Sequence, residues 1–192
     1  MHGSDTGVNR RDFLFRGLTR AIERAGRALG EQIAPATYVR PPGALPEAAL
    51  AAACTRCGAC ASACPTHVIV MLGAEAGLAV GTPVLDLAAG ACAMCADMPC
   101  ASACPTDALV VPERGWAAVR LAELHVDRTR CITFRDIECG VCARACPVGP
   151  SALVIDERGH PAIGAACTGC GTCIAACVTS PSSLSAHAPG GH

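Results

Sequence analysis

Hydrophobic and polar positions alternate over short distances along most of this chain, with one longer stripe near the N-terminus. There Phe15, Leu18, Ile22, Ala25, Leu29 and Ile33 recur at three- and four-residue steps, with Arg20, Arg24, Arg27 and Glu31 opposite. That period predicts an amphipathic helix, supported by Glu23–Arg27 and Arg27–Glu31 at i,i+4. Arg40-Pro41-Pro42-Gly43-Ala44 reads as a stiff linker, since paired prolines favour an extended chain. Pro46 then opens a short helix over Glu47–Ala53. Beyond it the apolar runs are strand-sized: Val68–Leu72, Ala108–Val111 and Ala152–Ile155. Gly73, Gly77 and Gly81 punctuate a hairpin after the first of these, and Asp156–Gly159 reads as a turn. Trp116–Val126 is the longest extended candidate. The expected organisation is a basic arm over 1–40, a body over 41–180 and a disordered tail over 181–192.

Each of the three short strands follows a Cys-Pro pair, and the cysteines organise the body. Four runs contain all 16 of them: Cys54, Cys57, Cys60 and Cys64; Cys92, Cys95, Cys100 and Cys104; Cys131, Cys139, Cys142 and Cys146; Cys167, Cys170, Cys173 and Cys177. The first has the bacterial ferredoxin spacing for a [4Fe–4S] cluster, including the proline after its last cysteine. The others repeat it with one gap widened or with Val178 in place of the proline. Two-residue gaps let three thiolates of a tight loop face one cluster, while the fourth cysteine points to a neighbouring cluster. Gly58, Gly140, Gly169 and Gly171, lying between ligands, let the backbone approach closely or take positive φ. Four thiolates per cubane predict four [4Fe–4S] clusters. The fold class is therefore α+β: tandem bacterial-type dicluster ferredoxin units of short hairpins and helices, preceded by the amphipathic helix.

Zinc also takes Cys-x2-Cys pairs, but structural sites use two such pairs, usually far apart, or add His. Here three ligands crowd into seven residues and His is absent from the runs. A disulfide framework gives no reason for repeating one gap pattern four times.

Runs one and four are regular, sharing Cys-Thr-x-Cys-Gly-x-Cys, whereas runs two and three carry the insertions 96–99 and 132–138. That symmetry favours nesting. Cys54, Cys57 and Cys60 would then share a cluster with Cys177, and Cys167, Cys170 and Cys173 with Cys64. The inner unit would join Cys92, Cys95 and Cys100 to Cys146, and Cys131, Cys139 and Cys142 to Cys104. Sequential pairing, run one with two and three with four, is the alternative.

Composition sharpens this. Hydrophobic content is 52% but aromatic content only 3%, namely Phe13, Phe15, Tyr38, Trp116 and Phe134. So small a supply of large side chains points to bound clusters as part of the core, with ligand-binding free energy acting as folding free energy. The bases are all Arg, seven of them in residues 1–40, and the body is mildly acidic. No nucleic-acid reader motif or basic face is present, and no stretch reaches the length of a transmembrane helix. His67, His125 and His160 stand alone, and no Gly-rich nucleotide fingerprint appears. An electron carrier without acid–base or nucleophilic catalysis is therefore expected.

Asn9–Arg16 has the look of a twin-arginine motif, with Ala34-Pro35-Ala36 like a cleavage site, but charged residues interrupt the apolar region that export needs. The expectation is cytoplasmic, with peripheral membrane contact through residues 13–33; periplasmic export is the alternative.

Over about residues 40–180 the chain resembles the MauM/NapG-type ferredoxin proteins, with NapF-type proteins similar in localisation. The resemblance rests on Arg-Pro-Pro-Gly-Ala before the first run, Asp97-Met98-Pro99 within the second, the Cys131–Cys139 gap, and the closing Cys-Thr-Gly-Cys-Gly-x-Cys-x3-Cys-Val. It implies an electron-transfer subunit with four clusters. Its partners would be redox proteins, such as a membrane quinol-oxidising protein or a molybdenum enzyme, in nitrate reduction or methylamine utilisation. The competing function is a cluster-assembly or maturation factor for such an enzyme.

Overall fold

Glycine and proline interrupt the chain so often that no regular element in the described residues exceeds the seven of helix α1, Glu47–Ala53. The computed structural model describes residues 38–190. The expected amphipathic helix and the twin-arginine-like stretch lie outside the described residues.

Helix α1 has the bounds that its sequence predicts. Pro46 precedes it, Glu47 occupies its first turn, and Leu50 is completely buried. Its start is clamped from the linker. The Arg40 guanidinium donates to both Glu47 carboxylate oxygens at 2.7 and 2.6 Å. It also donates to Thr82 Oγ1 at 3.0 Å and the Pro83 carbonyl at 2.7 Å.

The post-cysteine apolar run gives strand β1, Ile69–Met71, which turns through the glycine-punctuated loop to pair antiparallel with β2, Pro83–Leu85. Helices α2 (Ala59–Ser62) and α3 (Pro99–Ser102) pack against each other beside this hairpin. The second unit repeats the scheme. Helices α4 (Val141–Ala145) and α5 (Thr172–Ala175) pack together. The hairpin between them joins β4, Leu153–Ile155, to β5, Pro161–Ile163, through the Asp156 turn. The architecture is α+β, built from two similar units, as the spacing predicts.

Three stretches differ from expectation. Residues 108–111 form only an isolated bridge, Leu109 to Ala44. Val110 donates to the Gly43 carbonyl at 2.8 Å, but Val110 and Val111 are exposed and Pro112 removes the next donor. Trp116–Val126 splits into a 3-10 turn at Gly115–Ala118, a connector that buries Val119, Leu121 and Ala122, and strand β3, Glu123–Val126. The supposed disordered tail contains strand β6, Leu184–His187, paired with β3 from Val126↔Leu184 to Glu123↔His187. Leu184, the single large aliphatic residue of that tail, is buried and anchors the strand.

Two apolar cores result. The larger gathers Leu50, Val68, Ile69, Leu85, Met98 and Leu109, with Val119, Leu121 and Ala122 of the connector. The smaller gathers Leu153, Leu184 and Cys173, with Leu124 and Val126 against them. Cysteines are part of both.

Candidate metal centres

Each short helix begins one residue before the third cysteine of its run, after a residue held at positive φ. Those residues are Gly58 (φ 74°), Met98 (φ 43°), Gly140 (φ 109°) and Gly171 (φ 83°). The turn swings the helix so that cysteines before and after it face a common space. At Gly58 nothing lies within 4 Å of an added Cβ, so conformation rather than crowding favours glycine there. Met98 takes the same role in the second run, where the left-handed region costs a non-glycine residue roughly 1–2 kcal/mol. Its side chain, 1% exposed in the larger core, offsets that cost.

The thiols converge in fours. Cys54, Cys57 and Cys60 share a cavity with Cys104, and Cys92, Cys95 and Cys100 share one with Cys64. Cys131, Cys139 and Cys142 share a third with Cys177. Cys146 lies near enough to Cys167 and Cys173 for its charge to act on both thiols. The nested map is therefore corrected. Cys104 replaces Cys177 beside run one, Cys64 replaces Cys146 beside run two, Cys177 replaces Cys104 beside run three, and Cys146 replaces Cys64 beside run four. Pairing is set by which helices touch, α2 with α3 and α4 with α5, and one hairpin between consecutive runs brings each pair together. The insertions are absorbed within their own loops. Met98 turns the first, and a 3-10 turn at Ile132–Arg135 ending in Asp136 (φ 59°) takes up the second.

No charged side chain lines any of the three cavities. Sulfur is the donor in every set, and all sixteen cysteines are free thiols. Among the described residues no three thiols, imidazoles or carboxylates converge tightly enough to hold a single metal ion. Thiols spread around an apolar space suit a group that fills it, which fits a cubane better than one zinc ion.

Environment divides the thiols by position in the run. Burial pushes up the third cysteines, Cys100 to about 11 and Cys173 to about 12, with neighbouring thiols adding to the shift. For Cys64, Cys104 and Cys177 burial is outweighed by hydrogen bonds. The Ser183 and Thr179 hydroxyls and backbone N–H groups bring Cys177 down to about 6. Thr66 and the Val68 amide do the same for Cys64, and the Thr106 and Leu109 amides for Cys104. The hydroxyls sit 3.2 Å (Thr179) and 3.3 Å (Ser183) from Cys177 Sγ, while Thr133 is 3.2 Å from Cys131 Sγ and Thr172 is 3.3 Å from Cys170 Sγ. Sequence reasoning missed these partners. The available signal was a threonine two residues after a cysteine, as in Cys64-Pro65-Thr66 and Cys177-Val178-Thr179.

Trp116 Nε1–H donates to the Cys95 carbonyl at 2.9 Å and its ring lines the second cavity. Two of the three histidines read as isolated have ring partners. His160 stacks on Phe134 at 4.0 Å and His125 meets His187 edge-on at 4.8 Å.

Comparison with known proteins agrees with this arrangement. Residues 53–108 match the 4Fe-4S dicluster domain, and residues 128–149 with 165–179 match a 4Fe-4S binding domain. The chain is 38% identical over 141 residues to the ferredoxin-type protein NapG of Escherichia coli K12, covering 70% of this chain and 61% of that one. It is 35% identical over 163 residues to the methylamine utilization ferredoxin-type protein MauM of Methylobacillus flagellatus, covering 78% and 69%. The MauM of Methylophilus methylotrophus is 35% identical over 174 residues, covering 84% and 76%. The chain thus spans about three fifths of the NapG length and up to three quarters of MauM. No solved structure matches it significantly.

Proposed function

Because the chain belongs to the MauM/NapG-type family of ferredoxin proteins, we propose that it holds four [4Fe–4S] clusters and relays single electrons between redox protein partners. The observation that carries this reading is the convergence of three sets of four thiols around uncharged cavities, with Cys146 close to Cys167 and Cys173 in the fourth. The ligand sets are Cys54, Cys57, Cys60 and Cys104; Cys92, Cys95, Cys100 and Cys64; Cys131, Cys139, Cys142 and Cys177; Cys167, Cys170, Cys173 and Cys146.

A bound cluster supplies a reversible one-electron couple. The chain's own residues bind, insulate and tune. Apolar walls such as Met71, Leu85, Ile155 and Leu184 exclude water from the cavities. Backbone N–H groups and the Thr and Ser hydroxyls donate to sulfur, which sets the potential along with burial. No proton need move at any of these atoms, so the function calls for no acid–base residue.

Anaerobic purification tests the reading directly. The protein should contain about sixteen iron and sixteen acid-labile sulfide atoms per chain and re-oxidise in one-electron steps. Zinc without sulfide would end it. Partners are redox proteins, with the quinol-oxidising and molybdenum-enzyme classes the first to try. No helix among the described residues is long and apolar enough to cross a membrane. We place the chain in the cytoplasm on the charge of residues 20–31. Export of an N-terminal reporter fusion that depends on Arg10 and Arg11 would reverse that placement.

A further inference from the structure

The two units could carry separate pairs of sites, yet their ligand loops touch at one place. The Cys92 N–H donates to the Cys170 carbonyl at 2.8 Å. Around that contact the fourth run docks on the first unit. Leu121 of the connector donates its N–H to the Thr168 carbonyl at 2.8 Å, and Thr168 Oγ1 lies 3.5 Å from Met94 Sδ. Arg120 Nη2 reaches the Ala165 carbonyl at 3.3 Å. The fit is close at Gly169 (φ +74°), where a Cβ would stand 2.3 Å from the Ala122 carbonyl oxygen and 2.4 Å from its nitrogen. Ala122 is itself in the larger core. At Gly171 a Cβ would meet Leu87 at 3.0 Å. Among the described residues no hydrogen bond joins the loops of runs one or three to the opposite unit.

Within each unit the fourth cysteines are exchanged, Cys64 and Cys104 in the first and Cys146 and Cys177 in the second, so each pair of sites is adjacent. Resting on the four-cluster relay proposed above, we infer that the sites form one unbranched path in the spatial order first, second, fourth, third. The step between units crosses at Cys92–Cys170. Electron order therefore departs from sequence order. Runs one and three are the ends that face partners. One electron enters at an end from a reduced one-electron redox protein, which is oxidised. One electron leaves at the other end to a second such protein, which is reduced, with no bond made or broken. Gly169 is a positioning residue, holding run four against run two.

Dipolar electron paramagnetic resonance of the fully reduced chain tests the order, because neighbouring reduced centres broaden each other's signals. Removing the fourth site with Cys167→Ser should leave one uncoupled centre, that of run three, beside a coupled pair. Removing the third site with Cys139→Ser should leave three centres still coupled. If Cys167→Ser left all three remaining centres in one coupled network, the run-two to run-four step would be overturned. Wild-type iron content, read in the same samples, reports on the four-cluster reading separately from the order. Where Cys167→Ser fails to load, Gly169→Val at the junction provides the second arm. It should keep its iron while coupling between the two pairs weakens and electron transfer from end to end slows several-fold. Unchanged coupling and rate in an iron-replete Gly169→Val chain would equally overturn the inference.

Discussion

Arg40→Met should destabilise the first unit far more than a surface substitution does. The guanidinium and the Glu47 carboxylate are only 10% and 13% exposed, and they meet at 2.6 Å. Arg40 also satisfies Thr82, which is fully buried, and the Pro83 carbonyl at the edge of β2. Removing it strands a buried carboxylate and frees the linker, whose Val39 carbonyl accepts the Leu85 N–H at 2.8 Å. Breaking a buried pair from one side costs about 3–5 kcal/mol. At roughly 1.4 kcal/mol per decade, that is on the order of a hundred- to several-thousand-fold in the opening equilibrium. Cluster loss makes unfolding irreversible, so the practical readout is the rate at which the iron–sulfur absorbance bleaches in denaturant. Two sites should bleach early and two at the parental rate. Arg40→Met with Glu47→Leu should recover most of the loss, because a well-packed apolar pair replaces a buried ion pair at little cost. A single variant as resistant as the parent, or a double variant no better than the single, would refute the argument.

The ligand map is tested by iron counts in paired variants. Cys54→Ser with Cys104→Ser should lose no more iron than Cys54→Ser alone, whereas Cys54→Ser with Cys177→Ser should lose about twice as much. The nested map demands the reverse. Trp116, the chain's single tryptophan, lines the second cavity; its fluorescence should be quenched in the loaded protein, rise in Cys100→Ser, and stay quenched in Cys139→Ser. Thr179→Val with Ser183→Ala removes both hydroxyls from Cys177 Sγ. It should lower the potential of the third site by tens of millivolts in a redox titration, since donors to sulfur favour the reduced state. An unchanged midpoint would show that the backbone donors suffice.

Local features were readable from sequence and long-range ones were not. Helix α1 was legible to the residue because Pro46, Glu47 and a run of alanines define it without help from elsewhere. Strand β4 and the turn after it are equally plain, though the returning β5 is not, since Asp156 closes its own turn by accepting from the Arg158 and His160 N–H groups at 2.9 and 2.8 Å. Twelve of the thiols read as ligands line three shared cavities. Their partners are not legible in the symmetry of regular outer and inserted inner runs, because partnership follows helix packing. Strand β6 was missed because its partner β3 lies about sixty residues earlier and only Leu184 marks its buried face.

The shortness of the elements explains why the thiols dominate this chain. Each sheet has two strands of three or four residues, and an isolated pair of that kind is marginal in water. Helices α2, α3 and α5 have four residues and α4 has five, far below the length at which a helix holds itself. The apolar residues that remain are arranged as walls: Leu85, Leu109 and Leu184 line the thiol cavities as well as the cores. Filling a cavity therefore completes packing and ligation in one event, which couples binding to folding. The low aromatic content follows, because sites spaced along the chain occupy the volume that Phe and Trp would otherwise fill. Close contact between run two and run four then serves two ends at once. It joins the cores, which neither small unit could do through its short strands alone, and it brings the inner sites together where an electron must cross.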